Sequence, residues 1–197
     1  MRSILRSIFY MPGVIIHELS HHFFCIIFNA KVKDVCYYNF RKSSGYVLHE
    51  RPKHLYQDVL IATAPFFLNS LIGGLIAYPT IINKLSIFGI ISLNWQDIFN
   101  LIVSISIGMN AIPSKGDGLS IWSYVSESDM NFLFKILAKI TITPLVLLIY
   151  LINFGSSYLK IDLLYGACVC FIGPKLIEHL IYLDIIQEFI NNLQNIN

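Results

Sequence analysis

The stretch that most restricts what this chain can become is His17-Glu18-Leu19-Ser20-His21, because it lies inside an apolar run. Between residues 4 and 28 the only charged side chains are Arg6 and Glu18. A run of that length can cross a bilayer as a helix. On a helix, His17 and His21 are one turn apart and share a face. Two imidazoles so placed can bind one zinc ion, leaving the glutamate beside the first free to act as a base. A buried histidine is more commonly a hydrogen-bonded core residue, and on a soluble helix surface His and Glu cost little. In an apolar span each costs several kcal/mol unless paired or liganded. Two histidines and a glutamate in such a span therefore point to a metal site.

Composition supports the membrane setting. The chain has 197 residues, 55% of them hydrophobic and 13% charged, with a mean hydropathy of +0.63. Soluble domains carry about 25% charged residues, so the expectation is an integral, multi-pass protein of the cell membrane, with the lipid bilayer as its surroundings. A formal net charge of +2 gives no basis for nucleic acid binding. Arg2 and Arg6 before apolar residues resemble the start of a signal peptide, but no small-residue cleavage site follows, and the run holds the candidate site. It is read as retained. Cys25, Cys36, Cys168 and Cys170 show no CxxC spacing and are read as reduced or inert.

In chain order the pattern predicts an all-α membrane protein of about five transmembrane helices, with a small β-hairpin between the first and second. The first span covers 4–28 and includes Pro12, a candidate kink. Residues 31–40 and 46–50 read as strands joined by the turn residues of 41–45. The plain alternative there is a surface loop; the functional one is a strand edge that holds an extended substrate. The second span covers 55–82 and carries Asn69, suited either to a helix–helix hydrogen bond or to the site. The connection 83–96 can hold a short amphipathic element with Trp95 at the interface. The third span starts at Ile98 and runs into Asn110-Ala-Ile-Pro113-Ser-Lys-Gly116-Asp117-Gly118. Backbone broken in this way is tolerated at membrane depth where it is buried in protein or lines a cavity. Asp117 there is either a helix cap or a metal ligand. The fourth span covers 140–159, and the fifth starts near Leu163 and carries Lys175, Glu178 and His179. Residues 1–125 are read as a catalytic core, and 126–197 as accessory helices with a polar tail.

His17-Glu18-Leu19-Ser20-His21, Ala64-Pro65-x-x-x-Asn69 and Asn110-x-x-Pro113-x-x-x-Asp117-Gly118 together resemble the site-2 protease family of intramembrane zinc metalloproteases, including its small prokaryotic members. The likeness covers residues 11–118. Ala64 stands where the family has glycine, and Gly116 stands where it has leucine before Asp-Gly. The Asn110–Asp117 spacing is one residue shorter than in well-known members, and no PDZ-like insertion separates the second and third spans. The resemblance implies a three-helix catalytic core hydrolysing peptide bonds of membrane proteins or peptides. Zinc would be held by His17, His21 and Asp117, with Glu18 as general base and Asn69 holding the substrate strand or its oxyanion. Within the hairpin, Val35, Tyr37 and Tyr46 are the candidate substrate contacts.

Two alternatives accompany this reading. One is a metal-binding membrane protein without proteolytic activity, a transporter or an inactive homologue, which has no need of Glu18 beside the first histidine. The other keeps the protease but takes Glu178 or His179 as third ligand. Lys31, Lys33, Arg41, Lys42, Arg51 and Lys53 crowd 29–53, whereas 83–96 has only Lys84. The positive-inside rule then places 29–53 in the cytoplasm, with the active site opening to that side.

Overall fold

The structure is a computed structural model that describes residues 2–86, 89–90 and 93–194. Helix α1 (Arg2–Ile27) passes through Pro12 without a break. It stops where Asn29 takes a left-handed φ of 51° and the Ala30 N–H donates to the Cys25 carbonyl at 2.8 Å, a common way to end a helix. Strands β1 (Val32–Asn39) and β2 (Ser44–His49) form an antiparallel pair in which Val35 faces Val47 and Cys36 faces Tyr46. β2 begins earlier than the expected 46, which puts Gly45 in the strand rather than in the turn. The hairpin is tied back along α1. The Tyr38 hydroxyl donates to the Ser7 carbonyl at 2.5 Å, and Tyr37 hydrogen-bonds His22 Nδ1 at 2.5 Å.

Helix α2 (Leu55–Lys84) is followed by the small pair β3 (Leu85–Ser86) and β4 (Gly89–Ile90). The amphipathic element expected over 83–96 falls partly on 87–88 and 91–92, which lie outside the described residues. Helix α3 (Trp95–Met109) starts in a capping box between Asn94 and Asp97, with Trp95 exposed. Then come α4 (Lys115–Glu127), α5 (Phe132–Leu159), α6 (Ile161–Phe171) and α7 (Gly173–Gln194).

Among the described residues three stretches are long and apolar enough to cross a membrane: Leu55–Lys84, Phe132–Leu159 and Ile161–Leu183, which joins α6 to α7. The expectation of about five spans is met in part. Helix α3 has 15 residues, about 22 Å at 1.5 Å per residue, against a hydrocarbon core of about 30 Å. Helix α1 is long enough, but His17, Glu18, His21 and His22 lower its apolar character.

Helices α1, α2 and α3 cross closely. At Gly13 the α1 backbone lies on α3, where any Cβ would run into the Ser106 carbonyl. The Gly13 N–H instead donates to Ser106 Oγ at 3.2 Å. A hydrophobic core joins α2, α4 and α5 through Ala62, Ile121, Val125, Ile142 and Ile149, so packing is continuous across residue 125. It seats α4, and with it Asp117, against α2.

Candidate metal centre

His17 and His21 project from one face of α1, and each ring is fixed from behind. His17 Nδ1 donates to the Asn110 carbonyl at 2.6 Å, and His21 Nδ1 donates to the Ile61 carbonyl at 2.8 Å. A carbonyl only accepts, so each neutral ring carries its hydrogen on Nδ1 and leaves a lone pair on Nε2. The two Nε2 atoms lie 3.1 Å apart. Asp117 adds its carboxylate, with Oδ1 3.3 Å from His21 Nε2 and Oδ2 3.7 Å from His17 Nε2.

Three acceptor groups thus converge, with ligand atoms all within 4.8 Å of one another. Lone pairs facing one another repel unless a cation sits among them. The 3.1 Å separation is close to the roughly 3.3 Å spanned by two nitrogens each about 2.05 Å from a tetrahedral ion. Backbone carbonyls holding the far nitrogens are the usual support of metal-ligating histidines. The donor set fits a divalent metal such as zinc.

Asp117 is aimed by its own helix start. Ser114 is the N-cap of α4; its N–H donates to Asp117 Oδ2 at 2.6 Å, and its Oγ accepts from the Asp117 N–H at 3.3 Å. The cap and the ligand, which the sequence poses as alternatives, are one side chain with both roles. Gly118 does not serve the site. A Cβ there would meet Ile149 of α5 at 3.3 Å, so this glycine lets α4 pack on α5.

A cavity of about 630 Å³ opens in front of these groups. Glu18, 7% exposed, lines it beside the ligands. Strand β2 forms one wall from Ser44 to His49. Gly45 is needed for that approach, because a Cβ there would lie 2.5 Å from Glu18 Cγ. Tyr46 lines the cavity and donates its hydroxyl to Asp34 Oδ2 at 2.8 Å. Val35 and Tyr37 do not line it. They belong to β1, the strand on the other side of the pair, and Tyr37 is taken up by His22. The strand edge beside the metal centre is therefore that of β2.

Asn69, expected in a catalytic and substrate-binding role, sits in the seam between helices. It is fully buried and does not line the cavity. Its Nδ2 donates to the carbonyls of Gly13 and Ile107 at 3.3 Å and of Asn110 at 3.2 Å, while its Oδ1 accepts from Ser20 at 3.1 Å. It clamps α1, α2 and α3 together. It also shares the Asn110 carbonyl with His17. Glu178 and His179 are exposed on α7 and line no part of the cavity.

Sequence reading missed the carbonyls of Ile61 and Asn110, since a backbone acceptor leaves no signature in residue type. It also missed the wall made by Asn153, Ser156 and Asp162. For Asp162 a signal existed: it is a carboxylate at the head of an apolar span. Compared with protein-family models, with curated proteins and with solved structures, the chain matches none of them.

Proposed function

We propose that this chain is a membrane-embedded zinc metalloprotease that hydrolyses peptide bonds of membrane-embedded or membrane-proximal proteins. The observation that carries the reading is one juxtaposition. Two Nε2 lone pairs and a carboxylate converge, a further carboxylate stands beside them in the same cavity, and a β-strand edge forms the wall. Two imidazoles, one carboxylate and an open position are the donor set of a hydrolytic zinc. Zinc, when bound, supplies Lewis acidity and lowers the pKa of a water there to about 7.

The remaining work falls to the chain's own groups. His17, His21 and Asp117 hold the ion. Glu18, outside the ligand set, takes the proton of the attacking water and passes it to the leaving amine. The peptide bonds of a helix are hidden in its own hydrogen bonds, so a substrate must be unwound before it is cut. The β2 edge offers replacement partners for the unwound strand. Asn69, with its donors committed, acts by holding the helices. By the positive-inside rule the cavity opens to the cytoplasm.

The test is metal content and cleavage measured together on purified protein. We expect about one zinc per chain and cleavage of a transmembrane peptide that a chelator abolishes and zinc restores. Stoichiometric zinc with no cleavage of any transmembrane or extended peptide would favour the binding-only alternative.

A further inference from the structure

The cavity carries one acidic group that the proposed chemistry does not use. Asp162 lines it from the first turn of α6, at the head of the apolar stretch Ile161–Leu183. Its Oδ1 is buried and has no hydrogen-bond partner among the described residues. It joins none of the ion pairs among them. Nor does it cap its helix through a partner at the N-cap, where Lys160 is left-handed with φ 56° and makes no side-chain cap bond. A carboxylate left this way in an apolar protein is costly, and the cost is offset when a cation reaches it.

Asn153 and Ser156 line the same cavity. Asn153 commits its amide N–H groups to the carbonyls of Pro113 and Ile149, at 2.8 Å each. What remains to it is its carbonyl oxygen. Glu18, Asp117 and Asp162 are the three carboxylates among the lining side chains, and no lysine or arginine is among them. Glu18 is the base and Asp117 a metal ligand, so Asp162 is left to face whatever else enters. A single carboxylate without a second acidic or imidazole partner is a poor metal site, and among the described residues the only ligand cluster is the one at His17, His21 and Asp117. The cavity also contains the β2 edge, which suits a peptide.

We infer that Asp162, helped by the Asn153 carbonyl, forms a specificity subsite for a lysine or arginine side chain of the peptide held in the cavity. The inference rests on the protease reading and adds a substrate class to it: extended segments carrying a basic residue near the cleaved bond. A planar guanidinium or an ammonium would pair with the Asp162 carboxylate on a wall that carries no lysine or arginine.

The test separates binding from cutting. Full-length zinc-loaded protein carrying Glu18→Gln is titrated with fluorescent extended peptides in which lysine, norleucine or glutamate is placed at each successive position. At one position lysine should bind at least about tenfold tighter than norleucine, with glutamate weakest. Asp162→Asn should remove that preference, and Asp162→Lys should turn it toward glutamate. The lysine scan on the otherwise intact pocket decides the matter even if the Asp162 variants do not fold. No lysine preference at any position, a preference that survives Asp162→Asn, or no peptide binding at all would each overturn the subsite. A lysine preference in a protein that never cleaves would leave the subsite standing and refute the protease. Cleavage indifferent to the basic residue would do the reverse.

Discussion

Replacing Asp117 by asparagine separates the two roles that one carboxylate plays. Asparagine keeps an oxygen that can accept from the Ser114 N–H, now at 2.6 Å from Oδ2, so the start of α4 should survive. It loses the negative charge that faces both histidines at 3.3 and 3.7 Å. Losing even an outer partner of a ligand costs 10–100-fold in metal affinity, so losing a charged ligand should cost at least that, about 1.4 to 2.7 kcal/mol. Thermal unfolding reads this well. At a zinc concentration about 100 times the wild-type Kd, zinc stabilises the protein by about 2.7 kcal/mol; after a hundredfold loss of affinity the same zinc gives only about 0.4 kcal/mol. Ser114→Ala is the counterpart. It removes one side of the cap, costs about 1 kcal/mol of stability, and leaves the zinc increment largely intact. The reasoning fails if Asp117→Asn keeps the full zinc increment, and it fails doubly if Glu178→Gln or His179→Ala loses it.

Three further outcomes follow from the same geometry. Protons compete with metal for the Nε2 atoms of His17 and His21, so affinity should fall as the pH falls, by up to about a hundredfold per pH unit once both rings must be deprotonated; an affinity independent of pH over the whole range in which the protein stays folded would remove the imidazoles from the ligand set. Asn69→Ala breaks four interhelical contacts worth about 0.6 kcal/mol each, so unfolding in detergent should show a loss of about 2 kcal/mol; an unchanged stability with cleavage abolished would return Asn69 to a catalytic role. Cys36, on the basic hairpin, should resist an impermeant thiol reagent in intact cells and react after permeabilisation; labelling without permeabilisation would place the cavity on the outer side.

The legible part of this protein is the part where chemistry conflicts with its surroundings. Histidines and a glutamate in an apolar run are expensive, so His17, Glu18 and His21 stand out before any fold is known. Asp117 stands out because Pro113, Gly116 and Gly118 signal a helix break; the break itself ends at Ser114, and both glycines lie in the first turn of α4. The hairpin was visible from its alternating strands and its turn. The rest depends on tertiary geometry. Which strand of a two-stranded sheet faces the site is decided by the packing of Gly45 on Glu18, and a sequence pattern treats β1 and β2 alike. Asn69 satisfies the same motif whether it faces a cavity or a helix seam; its bonds to Gly13, Ile107 and Asn110 place it in the seam. Three of the five expected spans are long and apolar by themselves; α3 is apolar but short, and the residues that make α1 informative also make it less apolar.

The most direct test of the account is Glu18→Gln, assayed for zinc and for cleavage on the same sample. Glutamine fills the space beside Gly45 and leaves His17, His21 and Asp117 untouched, but it cannot take a proton. The account predicts wild-type zinc stoichiometry with cleavage reduced by at least about a hundredfold. Wild-type cleavage by the Glu18→Gln protein, or a folded Glu18→Gln protein that no longer holds zinc, would contradict it.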